Sequence, residues 1–154
     1  MRRQKQLIQH DPDNGLYGDC YRTAIACILD LPAEDVPHFL KRDSTAESQD
    51  DVAADWLQKH WKLTPVVISY LPNDDNDSVL EYLGKWSQRG SPFIITGQGS
   101  RGFNHCVVGY NGEIYCDPYT GDRGDRTSLE LPSMCEDGKR YWVVEYLCFY
   151  PSES

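Results

Sequence analysis

Hydrophobic positions recur at helical spacing in the first half of the chain and alternate with polar ones in the second half. The first apolar run, residues 24–29, has few polar positions on any side, which is typical of a helix buried in the domain. We predict that this helix spans residues 20–30 and stops before Pro32, because proline disfavours helical backbone in the residue before it. Apolar residues at helical spacing predict two further helices, at about residues 50–61 and 78–88.

β-Branched and aromatic residues indicate strands separated by polar or glycine-rich loops. The predicted strands are 64–70, 93–96, 104–110, 113–117 and 141–150, with loops at 97–102 and 119–126. Helices followed mainly by strands favour an α+β domain, in which the N-terminal helix packs on a C-terminal antiparallel sheet. The 154 residues have the length of one domain, 1–154, and we expect the polar residues 1–13 to form a loosely held arm.

The charge balance and the apolar runs argue against two classes of partner. The net charge is −9 and the 15 lysines and arginines are scattered, so the chain lacks the basic patch that nucleic acids require. No apolar run approaches the roughly 18 residues of a membrane span, so we expect no membrane partner and a cytoplasmic location. In a reducing cytosol most of the six cysteines are expected to stay free thiols, and five of them to be small buried hydrophobes. A disulfide between Cys106 and Cys116 stays open.

Cys20 stands apart from the other cysteines because it lies where the first predicted helix begins. The segment before it, residues 14–19, is a polar loop with glycines, and Asp19 is placed to cap the N–H groups of the first turn. The positive end of the helix favours the thiolate form of Cys20, and the thiolate is the nucleophilic form. We therefore predict that the chemistry takes place at the open N-terminal end of this helix.

The pair Asn111-Gly112 between two strands predicts a β-hairpin. A two-residue turn would leave His105 and Asp117 on opposite faces of the hairpin. A three-residue loop that ends in a glycine bulge would set His105 directly across from Asp117. The same register sets Cys106 across from Cys116 and gives one apolar face, so we predict the three-residue loop.

Cys20, His105 and Asp117 have the residue types of a nucleophilic triad. Cys20 needs a base or an imidazolium partner to be a thiolate at neutral pH, His105 can be either, and Asp117 can hold the second N–H of the ring. The oxyanion formed on attack needs N–H donors, and we predict the backbone N–H of Cys20 and the side-chain amide of Asn14. Two other amides could replace that of Asn14: Gln9 and Gln98.

Two other interpretations of the histidines stay open. His105 and Asp117 would also serve as an ordinary polar pair on the surface of a sheet. His38, 18 residues after Cys20, is another histidine that could act as the base, or it has a surface or structural role.

Two stretches of the chain resemble the papain-like cysteine peptidases, and most of all their bacteriocin-leader-cleaving branch. The stretches are Gly18-Asp19-Cys20 before an alanine-rich helix, and His105-Cys106-Val107-Val108 followed by Asp117-Pro118. The order Cys, His, Asp agrees, and the segment 31–39 is similar to small uncharacterised bacterial and phage proteins of this kind. The chain departs from that branch at Tyr21, where glycine is usual, and at Asn14, where glutamine is expected.

The resemblance implies a papain-like fold and a thiol hydrolase that cleaves a peptide or other amide bond through an acyl-enzyme on Cys20. A deamidase or a transglutaminase-like acyl transferase would use the same triad. A papain-like scaffold could also be a non-catalytic binding module, for instance an inhibitor of a host factor.

We expect a peptide, a protein or a small amide as substrate, and no cofactor. A metal site is disfavoured because the paired CxxC spacing of structural zinc is missing, and the oligomeric state stays open. Substrate contacts are expected from four residues near the predicted cleft: Tyr21, Gln98, Arg101 and Tyr119.

Overall fold

An apolar helix packed on an antiparallel sheet forms the centre of this protein. The computed structural model describes residues 1–40, 46–71, 90–99, 102–119 and 129–149, and describes residues 46–48 by their backbone alone. The predicted helix at 78–88 and Arg101 lie outside the described residues. The α+β class predicted from the sequence is confirmed.

The first helix, α1, spans Cys20–Leu29, in agreement with the predicted bounds. Residues Thr23 to Cys27 are all buried, as the unbroken apolar run predicted. The helix ends at Asp30, whose left-handed backbone (φ 59°) lets its N–H donate to the carbonyls of Ala26 and Cys27. The last helical residue, Leu29, is thus three residues before Pro32.

The second helix, α2, spans Ala46–Trp61, so it begins four residues before the predicted start at 50. It packs against the first strand of the sheet. Two short 3-10 helices occur at Pro12–Asn14 and Ala33–Asp35.

The strands of the described residues form one antiparallel sheet. They are β1 Leu63–Tyr70, β2 Phe93–Gly99, β3 Asn104–Tyr110, β4 Glu113–Cys116, β5 Leu129–Leu131, β6 Ser133–Met134 and β7 Arg140–Phe149. The main order is β1-β7-β2-β3-β4, with β5 paired to β2 and β6 paired to β7. The sequence did not predict β5 or β6, which are only three and two residues long.

Strand β2 continues through Gly97, Gln98 and Gly99, which we predicted to be a loop. Glycine is disfavoured in strands because it has no side chain to pack. Here the ring of Trp142 takes that space, since a Cβ at Gly97 would lie 2.5 Å from it. Pairing with β3 and β5 then extends the strand.

The β3–β4 hairpin has a tighter turn than predicted. Tyr110 pairs with Glu113, so Asn111 and Gly112 alone form the turn, with φ values of 52° and 79°. These left-handed values are what a type I′ turn requires. A bulge then shifts the register, and Val108 pairs with Cys116. The predicted three-residue loop, with Cys106 across from Cys116, is therefore wrong.

Beyond the bulge, the observed register nevertheless keeps the predicted faces. Cys116 pairs with Val108 instead of Cys106, a difference of two residues. Side chains in a strand alternate with a period of two, so this shift leaves Cys116 and Asp117, which follow the bulge, on their predicted faces. Ile114, which precedes the bulge, is on the opposite face from the one predicted and packs with the cluster that contains Ile95 and Val107. His105 and Asp117 thus share a side of the hairpin, although they are not directly opposite each other.

The N-terminal segment is hydrogen-bonded along α1 and the end of β4, so the expectation of a loosely held arm is wrong. The Arg2 N–H donates to the Cys27 carbonyl (3.0 Å), and the Gln6 N–H donates to the Pro118 carbonyl (2.8 Å). The Gln4 side chain donates to the Leu31 carbonyl (2.8 Å). Polar composition suggested an arm, but buried backbone groups need partners, and this segment supplies them.

The sheet has an apolar core on each of its two faces. On one face, α1 packs against Ile94, Cys106 and Val108. On the other face, Phe93, Ile95, Val107, Leu129 and Val144 form a second cluster. The first cluster fixes where the start of α1 lies relative to β3, and the candidate site is at that junction.

Candidate active site

Asp19 precedes the helix and anchors the N-terminal segment. Its carboxylate accepts the N–H of Ile8 (2.9 Å) and of Leu7 (3.3 Å), and it pairs with Arg22 Nε (2.8 Å). It makes no side-chain cap bond to the first turn of α1, so the predicted capping role is wrong. The N–H groups of that first turn, including that of Cys20, lie at the end of the helix without a capping carboxylate.

Gly18 allows the chain to pass close to His10 before it enters the helix. A Cβ at Gly18 would lie 2.8 Å from His10 Cβ, which is too close for any other residue without a shift. The Gly18 N–H donates to His10 Nδ1 (3.1 Å). The His10 ring also contacts Phe103, with ring centroids 4.7 Å apart, so the loop before Cys20 is joined to the loop before β3.

His105 and Asp117 form the predicted pair. His105 Nε2 lies 2.9 Å from Asp117 Oδ1, and the two side chains are 11% and 16% exposed. The same carboxylate oxygen accepts the N–H of Tyr119 at 3.1 Å. The Tyr119 ring meets the His105 ring edge to face, with centroids 6.1 Å apart. Asp117 and Tyr119 together hold the imidazole in one orientation.

The Cys20 thiol lies close enough to the His105 side chain for each to shift the pKa of the other. Because Asp117 occupies Nε2, the nitrogen left to face the thiol is Nδ1. The structure therefore brings together the three residues that the sequence singled out, in the order sulfur, imidazole, carboxylate.

The electrostatics of this group favour a charged pair. The pKa of the Cys20 thiol lies well below its ordinary value, because hydrogen bonds with Cys106 and His105 and the charge of His105 outweigh burial. Burial lowers the pKa of His105, but its hydrogen bonds to Asp117 and Cys20 and their charges raise it to about 9. Around neutral pH the arrangement therefore favours a thiolate beside an imidazolium.

Cys106, the residue after the histidine, also contacts Cys20. The pKa of Cys106 is raised well above its ordinary value, because it is hydrogen-bonded to Cys20 and buried. Of these two thiols, Cys20 is the one that is deprotonated, because His105 stabilises a thiolate there. We had expected Cys106 to be only a small buried hydrophobe, and its contact with Cys20 adds a second role.

The structure does not bring Asn14 to the site. Asn14 is exposed in the 3-10 helix before α1, and its amide Nδ2 donates to Asp11 Oδ2 at 2.7 Å. The prediction that it donates to the oxyanion is wrong, because a short local turn takes up the amide. His38, the other histidine considered as a base, is bonded to the Tyr17 carbonyl at 2.8 Å and has a structural role.

The residues predicted to contact substrate have different surroundings. Tyr119 flanks His105, as described. Gln98 lies on β2 and accepts a hydrogen bond from Arg140 Nη1 at 2.8 Å. Tyr21 is bonded through its hydroxyl to both carboxylate oxygens of Glu145, at 2.9 and 2.8 Å, so this group is already engaged with the sheet.

Glu145 is a residue that the sequence analysis missed. It is 7% exposed, and burial raises its pKa to about 7. It lies on β7 across from Ile94, beneath the start of α1. The sequence did contain one indication of its role, because Glu145 is the one carboxylate within the otherwise apolar strand predicted at 141–150. A carboxylate in such a strand is buried only when it has a polar partner.

No protein-family model matches the chain, and no curated protein or solved structure is similar to it. Within the described residues, no helix is long and apolar enough to cross a membrane. The case for a function therefore depends on the geometry of Cys20, His105 and Asp117.

Proposed function

We propose that the protein is a papain-like cysteine hydrolase that cleaves a peptide or other amide bond through an acyl-enzyme on Cys20. The contact of Cys20 with an imidazole whose second nitrogen is bonded to Asp117 carries this proposal. If His105 and Asp117 were only a polar pair on a sheet surface, their proximity to a thiol at the start of a buried helix would not be expected.

The residues would act in two half-reactions. The Cys20 thiolate attacks the carbonyl carbon, and the His105 imidazolium gives its proton to the departing amine, which leaves an acyl-enzyme. His105, now neutral, takes a proton from water, and the resulting hydroxide displaces the acyl group as a carboxylic acid. Asp117 keeps the ring oriented in both steps, and the thiolate is regenerated.

Gln98 replaces Asn14 as our candidate for the side-chain oxyanion donor. Gln98 shares a sheet face with Ile94, and therefore with α1, because residues four apart in a strand point the same way. Gln98 pairs with Asn104, which precedes Cys106 on β3 by two residues. Because Cys106 lies beside the start of α1, Gln98 lies beyond the N-terminal end of that helix. Arg140 holds its carbonyl oxygen, which directs the amide N–H groups away from that guanidinium.

The first experiment measures thiol reactivity. We expect iodoacetamide near pH 7 to label Cys20 before the other cysteines, and His105→Ala to remove this preference. His38→Ala is the matched control, because that imidazole is bonded to a backbone carbonyl and should leave Cys20 labelling unchanged. Equal labelling of Cys20 and the partly exposed Cys135 in the native protein would contradict the proposal.

The second experiment measures turnover on a panel of peptide, glutamine and isopeptide substrates, with Cys20→Ala as the inactive control. Release of an amine with water consumed indicates hydrolysis, ammonia from glutamine indicates deamidation, and a new amide indicates acyl transfer. Turnover that persists in Cys20→Ala would rule out the acyl-enzyme.

Gln98→Ala tests the oxyanion role separately. We expect kcat to fall by about 10²–10³-fold, as for the loss of one oxyanion donor, while the iodoacetamide rate of Cys20 stays the same. Alkylation forms no oxyanion, so a parallel loss of both rates would assign Gln98 a structural role instead.

A further inference from the structure

Two pairs of thiols join α1 to the sheet. Cys20 and Cys27 are seven residues apart, so they lie on one face of the helix, two turns from each other. Cys20 packs against the buried cluster that contains Cys106 of β3, where α1 contacts that strand, and Cys27 lies in the same cluster as Cys116 of β4. Within that cluster Cys20 is paired with Cys106 and Cys27 with Cys116. All four are free thiols in the structure.

The two pairs differ in their access to solvent. Cys27 and Cys116 are 0% and 4% exposed, and the Cys116 thiol donates to the Gln4 carbonyl at 3.3 Å, beneath the N-terminal segment. In the other pair, Cys106 is 2% exposed, whereas Cys20 is at the open end of the helix and is partly exposed. An oxidant from solvent would therefore meet Cys20 first, and Cys106 is the thiol next to it.

We propose that Cys20 and Cys106 form a reversible disulfide that switches the site off when peroxide is present. The nucleophile and its partner are already in contact across the helix–sheet junction, so the bond would join neighbouring elements without a change of fold. His105, in contact with Cys20, can supply the proton that the first step needs.

The chemistry uses hydrogen peroxide as the oxidant. The Cys20 sulfur attacks one oxygen, the O–O bond breaks, and the leaving hydroxide takes the His105 proton as water, which leaves a sulfenic acid on Cys20. The Cys106 sulfur then attacks the Cys20 sulfur, its proton goes to the leaving hydroxide, and a second water departs. Two thiols and one peroxide thus give one disulfide and two waters, and a small dithiol reverses the change by exchange.

The inactivation rests on the proposed function, but the disulfide itself can be measured without a substrate. The full chain is treated with one equivalent of hydrogen peroxide, blocked with iodoacetamide and digested without reduction. We expect a linked peptide containing Cys20 and Cys106, and complete return of Cys20 labelling after dithiothreitol.

Cys106→Ala removes the second thiol. We expect an excess of peroxide, enough to supply the second and third oxidation steps, to convert Cys20 to the sulfinic or sulfonic acid in this variant, so that dithiothreitol restores less than a tenth of its labelling, whereas the unmutated protein given the same excess recovers. Cys116→Ala is the matched control, since it removes a thiol of the other pair and should leave the Cys20–Cys106 bond unchanged. The mapping of the unmutated protein tests the proposal even if Cys106→Ala does not fold.

Three outcomes would overturn the switch: Cys20 linked to a different cysteine, Cys20 lost irreversibly in the unmutated protein, or Cys20 still fully labelled after peroxide. A linked Cys20–Cys106 peptide without turnover on any substrate would refute the hydrolase and leave the switch standing. Turnover that peroxide abolishes irreversibly would refute the switch and leave the hydrolase standing.

Discussion

At the scale of single residues, the site depends on how each ionisable group changes the protonation of its neighbours. Asp117 raises the pKa of His105, which in turn lowers that of Cys20. The three residues therefore titrate as one coupled group, and a change in one should appear in the pH profile of another.

Asp117→Asn should lower the pKa of His105 from its present value of about 9, since the carboxylate's hydrogen bond and charge both raise it. The His105 imidazolium would then lose its proton at a pH about one unit or more below that of the unmutated protein. The measurement is the His105 ring-proton shift followed by NMR from pH 5 to 10. Asp137→Asn, which alters an exposed carboxylate bonded to Tyr141, should leave this titration unchanged.

Glu145 should make the protein less stable as pH rises. Its pKa goes from 4.5 to about 7 on folding, so between these values the folded state holds a proton that the unfolded state has released. The contribution of Glu145 to the unfolding free energy therefore falls between pH 4.5 and 7, by an amount on the order of 3 kcal/mol, and does not change further above pH 7.

Glu145→Gln should remove this fall and keep an acceptor for the Tyr21 hydroxyl. Urea denaturation at pH 5 and pH 7.5, compared between the two proteins, measures the difference. The same pH dependence in both proteins would show that Glu145 does not change its protonation on folding.

At the scale of elements, the β3–β4 hairpin decides whether Asp117 can reach His105. The turn residues Asn111 and Gly112 have left-handed backbone, and the bulge beyond them sets the register. The turn was visible in the sequence as Asn-Gly. The bulge was not, because it results from how β4 packs against its neighbours and leaves no residue signature.

Gly112→Val should destabilise the protein, because its φ of 79° is strained for a β-branched side chain. We expect a loss of about 1–2 kcal/mol. Gly112→Asn should cost less, since asparagine tolerates left-handed backbone. Thermal unfolding of the three proteins measures this, and equal melting temperatures for the valine and asparagine variants would contradict the turn geometry.

At the scale of the whole molecule, the N-terminal segment links the two elements that carry the site. It bonds to Asp19 just before α1 and to Pro118 just after Asp117. A polar sequence with no periodicity predicted an arm, because only the folded chain shows which backbone groups lie opposite it. The N-terminal segment therefore connects the start of α1 to the end of β4 through its hydrogen bonds.

Deletion of residues 1–8 should therefore lower stability and disturb the site together. The deletion removes several hydrogen bonds, including two to the buried Asp19 carboxylate, and we expect a loss of about 3 kcal/mol or more. Calorimetry measures the melting temperature, and iodoacetamide measures Cys20 reactivity. Lys5→Ala, which removes only an exposed side-chain bond to the Asp117 carbonyl, should change neither.

The sequence by itself determined the local elements and the residue types of the site. The buried helix followed from an unbroken apolar run, the hairpin from Asn-Gly, and the nucleophile from a cysteine at a helix start. These features depend on short-range sterics and on periodicity, which neighbouring residues encode.

Only the tertiary structure decided the contacts between distant segments. It placed Cys106 against Cys20, Glu145 against Tyr21 and Arg140 against Gln98, and it withdrew the Asn14 amide into a local turn. These contacts depend on how the helix and strands pack and on their register. A bulge of one residue changes that register without changing the local pattern from which the elements were predicted.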